Sequence, residues 1–151
     1  MSDPDLLCIP GSLRAASLNT KLLHEAVRLF GPCDPAFGDL RLPLYDGDLA
    51  ADGMPESVIL LHRQMQVADA TLIAVSEYNA GLSGVLKNAL DWVSRLSPMP
   101  VAGKACGNHV GGSRTGSGVW SQYSLRHGLT PVQSEGSART KGFHFPGTFG
   151  I

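Results

Sequence analysis

Ala70-Thr71-Leu72-Ile73-Ala74-Val75 runs directly into Ser76-Glu77-Tyr78-Asn79-Ala80-Gly81-Leu82-Ser83-Gly84, which gives way to Val85-Leu86-Lys87-Asn88-Ala89-Leu90-Asp91-Trp92. The first piece is an uninterrupted apolar run of the length that fills a strand buried on both faces. The last piece carries Val85, Leu86, Ala89, Leu90 and Val93 at helical spacing and stops before Ser97-Pro98. A buried strand that ends in a polar loop and restarts as a helix is the repeating unit of a parallel sheet. In open sheets of this kind the ligand lies at the carboxyl ends of the strands.

Towards the N-terminus the same pattern recurs. Leu6-Leu7-Cys8-Ile9 is a short buried strand broken by Pro10-Gly11. After the loop Gly11-Ser12-Leu13-Arg14-Ala15-Ala16-Ser17, the residues Leu22, Leu23, Ala26, Val27 and Phe30 mark a helix that ends at Gly31-Pro32. Residues 35–40 form a weak strand, and residues 41–53, rich in Pro, Gly and Asp, read as a long surface loop. Pro55 suits a first helical position, with Val58, Leu61, Met65 and Ala68 as one stripe of the helix that follows. Three alternations of strand and helix predict an α/β domain with right-handed crossovers and helices on both faces of the sheet. Its small version is flavodoxin-like: a doubly wound, five-stranded parallel sheet with its ligand at the ends of the first and third strands.

Composition narrows the function classes. A chain of 151 residues, 43% hydrophobic, holds one domain with a real core. A net charge of -1 offers no broad attraction for nucleic acid or an anionic membrane. Cys8, Cys33 and Cys106 have neither disulfide-framework nor metal-ligand spacing. The acidic start has no secretory character and no apolar run reaches membrane-spanning length, so the expected location is cytoplasmic.

The first loop combines Gly11, where a backbone can approach a ligand, with the hydroxyls of Ser12 and Ser17, the amide of Asn19 and the cationic fork of Arg14, all just before a helix. That assembly suits a phosphate. It also suits a plain helix cap beside a solvated arginine. It is neither a Walker A loop nor a GxGxxG turn. The second loop places the flat ring of Tyr78 between Glu77 and Asn79, a frame for a planar heterocycle or simply a turn with a surface tyrosine. His24, His62, His109, His127 and His144 show no triad or metal spacing and read as structural or surface residues. Lys87 and Asp91 read as a solvated i, i+4 pair, and Trp92 as core.

Together the loops resemble the NADPH-dependent FMN reductase family, which includes quinone, azo-dye and chromate reductases. The carrying residues are Gly11 to Asn19, of the form GSLRxxSxN, and Ser76 to Trp92, of the form PEYNxxxPGxLKNAxDW, with support from Leu42-Pro43-Leu44-Tyr45-Asp46 and Gln122-Tyr123-Ser124-Leu125-Arg126. The resemblance implies that Ser12, Arg14, Ser17 and Asn19 hold the FMN phosphate, and that Glu77, Tyr78 and Asn79 lie along the isoalloxazine, mainly through backbone groups. It implies an NAD(P)H-dependent oxidoreductase in which the flavin carries the chemistry. Hydride would pass in ping-pong order from NADPH or NADH to a small acceptor such as a quinone, with no protein acid, base or metal demanded. It also implies a homodimer or homotetramer. Ser76 and Ser83 stand where the family usually has proline, and Pro10 replaces a small polar residue. The competing readings are a flavodoxin-like FMN electron carrier, disfavoured by the near-neutral charge, and an inactive product.

One stretch conflicts with the pattern. A fourth buried strand is due after Lys104, yet Ala105-Cys106-Gly107-Asn108-His109-Val110 is poor in the branched apolar residues a central parallel strand favours. Reading the codons of 105–115 one base later permits P-V-A-I-M-S-A-A-P-G-R, an apolar strand with a third flavin-side loop. The same displacement of 131–151 permits a fifth strand. Residues 105–118 and 131–151 are therefore expected to be frameshifted readings. Between them Ser121, Tyr123, Leu125 and Leu129 mark a fourth helix, and the chain is expected to lack the last helix its relatives carry.

Overall fold

The computed structural model describes residues 2–98, 100, 105–110, 118–130 and 140–142, the backbone alone at 105–110 and 140–142. In chain order it contains β1 (Asp5–Pro10), α1 (Leu18–Phe30), β2 (Asp34–Phe37), α2 (Gly47–Asp52), α3 (Glu56–Val67) and β3 (Ala70–Val75). There follow the short strands β4 (Glu77–Tyr78) and β5 (Gly81–Leu82), then α4 (Gly84–Val93), β6 (Ala105–Val110), α5 (Val119–Leu129) and β7 (Thr140–Gly142).

The main sheet has the order β2-β1-β3-β6-β7, and every neighbouring pair is parallel. Its two faces are separated by the alternation of side chains along a strand. Leu7 and Ile9 of β1 and Ile73 and Val75 of β3 face one core with Leu61 and Met65 of α3, Leu86 and Leu90 of α4 and Leu125 and Leu129 of α5. Leu6, Cys8 and Ala74 face a second core with Leu23 of α1. The α/β, flavodoxin-like class expected from the strand–helix alternation is therefore the class observed.

Three local expectations change. The stretch 41–53 is not all loop: Asp46 accepts the backbone N–H of Asp48 at 2.9 Å and caps the six-residue α2. Its brevity and lack of any buried residue hide it from an apolar periodicity. Pro55 is the N-cap of α3, one residue earlier than its fixed φ suggested. The unpromising stretch Ala105–Val110 does occupy the central strand position, registered from Ala70↔Ala105 to Val75↔Val110. A parallel ladder is made by backbone groups, so residues of weak strand preference can still hold its register. The expected third flavin-side loop at 111–117 lies outside the described residues.

Candidate active site

The ends of β1 and β3 come together through Gly11. Its N–H donates to the Ala74 carbonyl at 2.7 Å, and a Cβ built on it would lie 2.7 Å from that oxygen. The glycine is thus required by a neighbouring strand, and it also lines the cleft described below. From it the chain turns through Ser12 to Ser17. Ser12 Oγ accepts the Arg14 N–H at 3.3 Å, and the Ser17 N–H donates to the Arg14 carbonyl at 3.0 Å. Ser17 is the N-cap of α1 and its Oγ accepts the Thr20 N–H at 3.4 Å. A serine oxygen that accepts a backbone N–H keeps its own proton to donate, so both hydroxyls remain donors for an anion. No acidic residue occupies the first turn of α1, so no carboxylate of that turn offsets the positive end of its dipole.

Asn19 is buried, and its Nδ2 donates to Ser76 Oγ at 2.6 Å. This bond ties the first turn of α1 to the residue leaving β3, joining the two loops the sequence singled out. Ser76 supplies a buried acceptor that a proline at this position lacks.

The second loop is a tight hairpin. Glu77 and Tyr78 pair antiparallel with Leu82 and Gly81, and the two residues between them, Asn79 and Ala80, have φ of 50° and 56°. Two successive positive φ values are the mark of a type I′ turn, whose twist suits a two-residue hairpin. Asparagine tolerates that conformation; alanine is strained in it. Tyr78 stands 57% exposed at the cleft wall. The Glu77 side chain turns away: its Oε2 accepts the Ser121 N–H at 3.1 Å in the first turn of α5, whose N-cap Gly118 gives no side-chain bond. This bond commits Oε2 of Glu77 to α5.

A third wall was not foreseen as part of a site. Asn88 and Trp92 of α4 both reach the Pro43 carbonyl, with Nδ2 and Nε1 each donating at 2.8 Å, and Asn88 Oδ1 accepts the Tyr45 N–H at 2.8 Å. The Tyr45 ring meets Trp92 edge-on at 5.0 Å. Trp92 is fully buried, as expected of a core residue, but it also straps residues 43–45 to the helix. The Lys87–Asp91 pair is solvent-exposed, as expected. Arg41 lies on the same wall; its Nη1 donates to Asp39 Oδ1 at 3.1 Å and its Nη2 to the Leu13 carbonyl at 3.4 Å.

These walls enclose an open cleft of about 860 Å³, lined by residues 11–14, 40–44, Tyr78, 83–85 and Asn88. That volume lies in the range of small-molecule sites. Among the lining residues the charged side chains are Arg14 and Arg41, with no carboxylate. Ser83 begins α4 without capping it, and its Oγ is buried with no hydrogen-bond partner. Of the sequence-selected residues, Ser12, Arg14 and Tyr78 line the cleft, whereas Ser17, Asn19 and Glu77 shape the elements around it.

Residues 4–137 match the family described as NADPH-dependent FMN reductase. The chain belongs to that family. It is 43% identical over 104 residues to an NAD(P)H-dependent FMN reductase of Pseudomonas aeruginosa, covering 68% of this chain and 56% of that protein. To a quinone reductase of Escherichia coli K12 it is 36% identical over 123 residues, covering 77% and 64%. The solved structure of the flavoenzyme NAD(P)H:(acceptor) oxidoreductase FerB of Paracoccus denitrificans is similar with a TM-score of 0.79 and 30% identity, covering 95% of this chain and 77% of that one. The chain thus spans 56–64% of the length of the first two relatives.

His62 is buried with Nε2 3.0 Å from the Pro98 carbonyl, and the His24 ring lies 4.6 Å from that of Phe37; both are placed structurally. Among the described residues no cluster of His, Cys, Asp or Glu is arranged to hold a metal ion, and no helix is long and apolar enough to cross a membrane.

Proposed function

We propose that the protein is an FMN-dependent NAD(P)H oxidoreductase that passes hydride from NADPH or NADH to a small electron acceptor of the quinone, free-flavin, azo or metal-ion class. The observation that carries this reading is the convergence of the two loops on one cleft whose lining has guanidinium groups and no carboxylate. The residues fit an FMN. Ser12, Arg14 and Ser17, at the start of α1, offer hydroxyl and guanidinium donors to its phosphate, and Asn19 holds that turn in place through Ser76. Tyr78 would offer an apolar face to its ring, and the hairpin backbone from Glu77 to Asn79 would offer hydrogen-bonding groups to the ring's edge. The uncapped start of α4 and the unpartnered Ser83 hydroxyl suit a ligand carbonyl or anionic oxygen.

FMN, when bound, supplies the two-electron chemistry, and donor and acceptor use one open face in turn. The protein binds, orients and partly shields it. The complete doubly wound five-stranded domain, a cytoplasmic location and a homodimer or homotetramer belong to the same proposal, supported by the family.

The purified protein should be yellow, or become so with FMN, and its visible absorption should bleach on adding NADPH without oxygen. Yellow protein that NADPH does not bleach would make it an electron carrier instead; failure to take FMN at all would overturn the reading. We also propose that 105–118 and 131–151 are frameshifted readings, supported by the weak central-strand composition of Ala105–Val110. Peptide masses matching Ala105 to Arg114 as written would refute that.

A further inference from the structure

Arg41 belongs to a stretch that the sequence presents as surface loop, yet it lines the cleft beside the turn that carries Arg14, with Nη2 3.4 Å from the Leu13 carbonyl. Its guanidinium is only partly committed. It bonds Asp39 and the Leu13 carbonyl, and both side chains of the ion pair are 65% exposed. An exposed pair of this kind contributes little stability, so exchanging Asp39 for another anion costs little. A guanidinium presents five N–H donors in a planar fork, so donors remain for a second partner after these two bonds. The position differs from that of Arg14 in kind. Arg14 lies within the turn feeding the N-terminus of α1, where a phosphate is held against backbone N–H groups. Arg41 comes from a separate segment, bonds the Leu13 carbonyl from outside that turn, and keeps its side chain 65% exposed.

Resting on the oxidoreductase reading above, we infer that Arg41 is a specificity residue for the nicotinamide donor: it takes the phosphomonoester on the adenosine ribose and so favours NADPH over NADH. An arginine beside the adenosine ribose is a general chemical solution to that phosphate, since the fork pairs with two of its oxygens. Asp39 is the placeholder that keeps the guanidinium oriented until the phosphate replaces it.

The test compares the wild type with Arg41→Ala, Arg41→Lys and Asp39→Asn. The quantity read is the ratio of kcat/KM for NADPH to that for NADH, together with calorimetric titration of adenosine 2′,5′-bisphosphate and 5′-AMP into the protein with and without FMN. Arg41→Ala should lower the kinetic ratio about tenfold, the size expected for losing a charge-assisted contact, and lower the preference for the bisphosphate by a similar factor. Arg41→Lys should restore part of both, and Asp39→Asn should raise the ratio. An unchanged ratio with weaker FMN binding would overturn the inference and assign Arg41 to the flavin phosphate. Equal loss with both donors would overturn it in favour of a purely structural role through Leu13. The titration without FMN keeps the two proposals separate: a chain that never takes flavin still reports whether Arg41 discriminates the bisphosphate from 5′-AMP.

Discussion

Asn88 gives the sharpest test of how the cleft is built. Its two hydrogen bonds, 2.8 Å each, fasten Pro43 and Tyr45 to α4. Each is worth about 0.5–1.5 kcal/mol net, and Asn88 is half-buried, so Asn88→Ala forfeits about 1–2 kcal/mol. Alanine returns roughly 0.5 kcal/mol through its better helix propensity. The expected net loss is about 1 kcal/mol, or roughly 2–4 °C in Tm for a domain of this size. Asn88→Asp should cost more despite its closer shape: it keeps an acceptor for Tyr45 but sets an oxygen against the Pro43 carbonyl and has no propensity gain. Trp92→Phe leaves Asn88 as the remaining donor to that carbonyl. The double variant Asn88→Ala, Trp92→Phe removes both donors and should exceed the sum of the single losses by about 0.5–1 kcal/mol. Urea denaturation followed by circular dichroism reads the energies, and limited trypsin digestion at Arg41 reads local opening of the wall. Additive losses, or Asp milder than Ala with no change in cleavage at Arg41, would refute the strap.

Gly11→Ala should be among the most damaging single-methyl changes, because the added carbon meets a backbone oxygen at 2.7 Å that cannot rotate away; a loss of about 1–3 kcal/mol or failure to accumulate as soluble protein is expected, measured by thermal melting. Ala80→Gly should stabilise by roughly 1 kcal/mol by removing the strain of an alanine at φ 56°, read from the urea midpoint. Burial, with a smaller contribution from Cys33, raises the Cys8 thiol from 9.0 to about 11. The folded state therefore holds that proton more tightly than the unfolded one. Its contribution is intact below pH 9 and is lost as pH rises through about 11, so alkaline unfolding should be delayed in Cys8→Ala.

What the sequence disclosed and what it hid divide along physical lines. Runs such as Ala70 to Val75 and stripes such as Val58, Leu61 and Met65 are legible because burial imposes a period on them. The two loops that line the cleft are legible because glycine and polar residues cluster in each just after a buried strand. The third wall carries no such signal: Asn88 and Arg41 look like ordinary surface residues until the fold brings them to Pro43 and Leu13. The one clue was Asn88 and Trp92 four residues apart, placing both on one helix face. Residues chosen for one role also proved to have another. Glu77 caps α5 and Asn19 clamps Ser76, functions that require contacts 44 and 57 residues distant along the chain.

These clamps also bear on the two serines that replace the family's prolines. A proline at 76 stiffens the loop by fixing φ; Ser76 holds it by a buried bond to Asn19 of α1, an attachment to another element instead of within the loop. The stiffness is thereby transferred to α1, so that anything ordering the turn from Ser12 to Ser17 also orders the exit from β3. Ser83 has no such partner. A proline there would give α4 a rigid start, whereas the serine leaves a buried hydroxyl unsatisfied, which costs about 1–3 kcal/mol. A ligand oxygen reaching that hydroxyl recovers this cost on binding. The two replacements therefore act in opposite senses: one ties the start of the loop to α1, and the other leaves a buried hydroxyl without a partner at its far end.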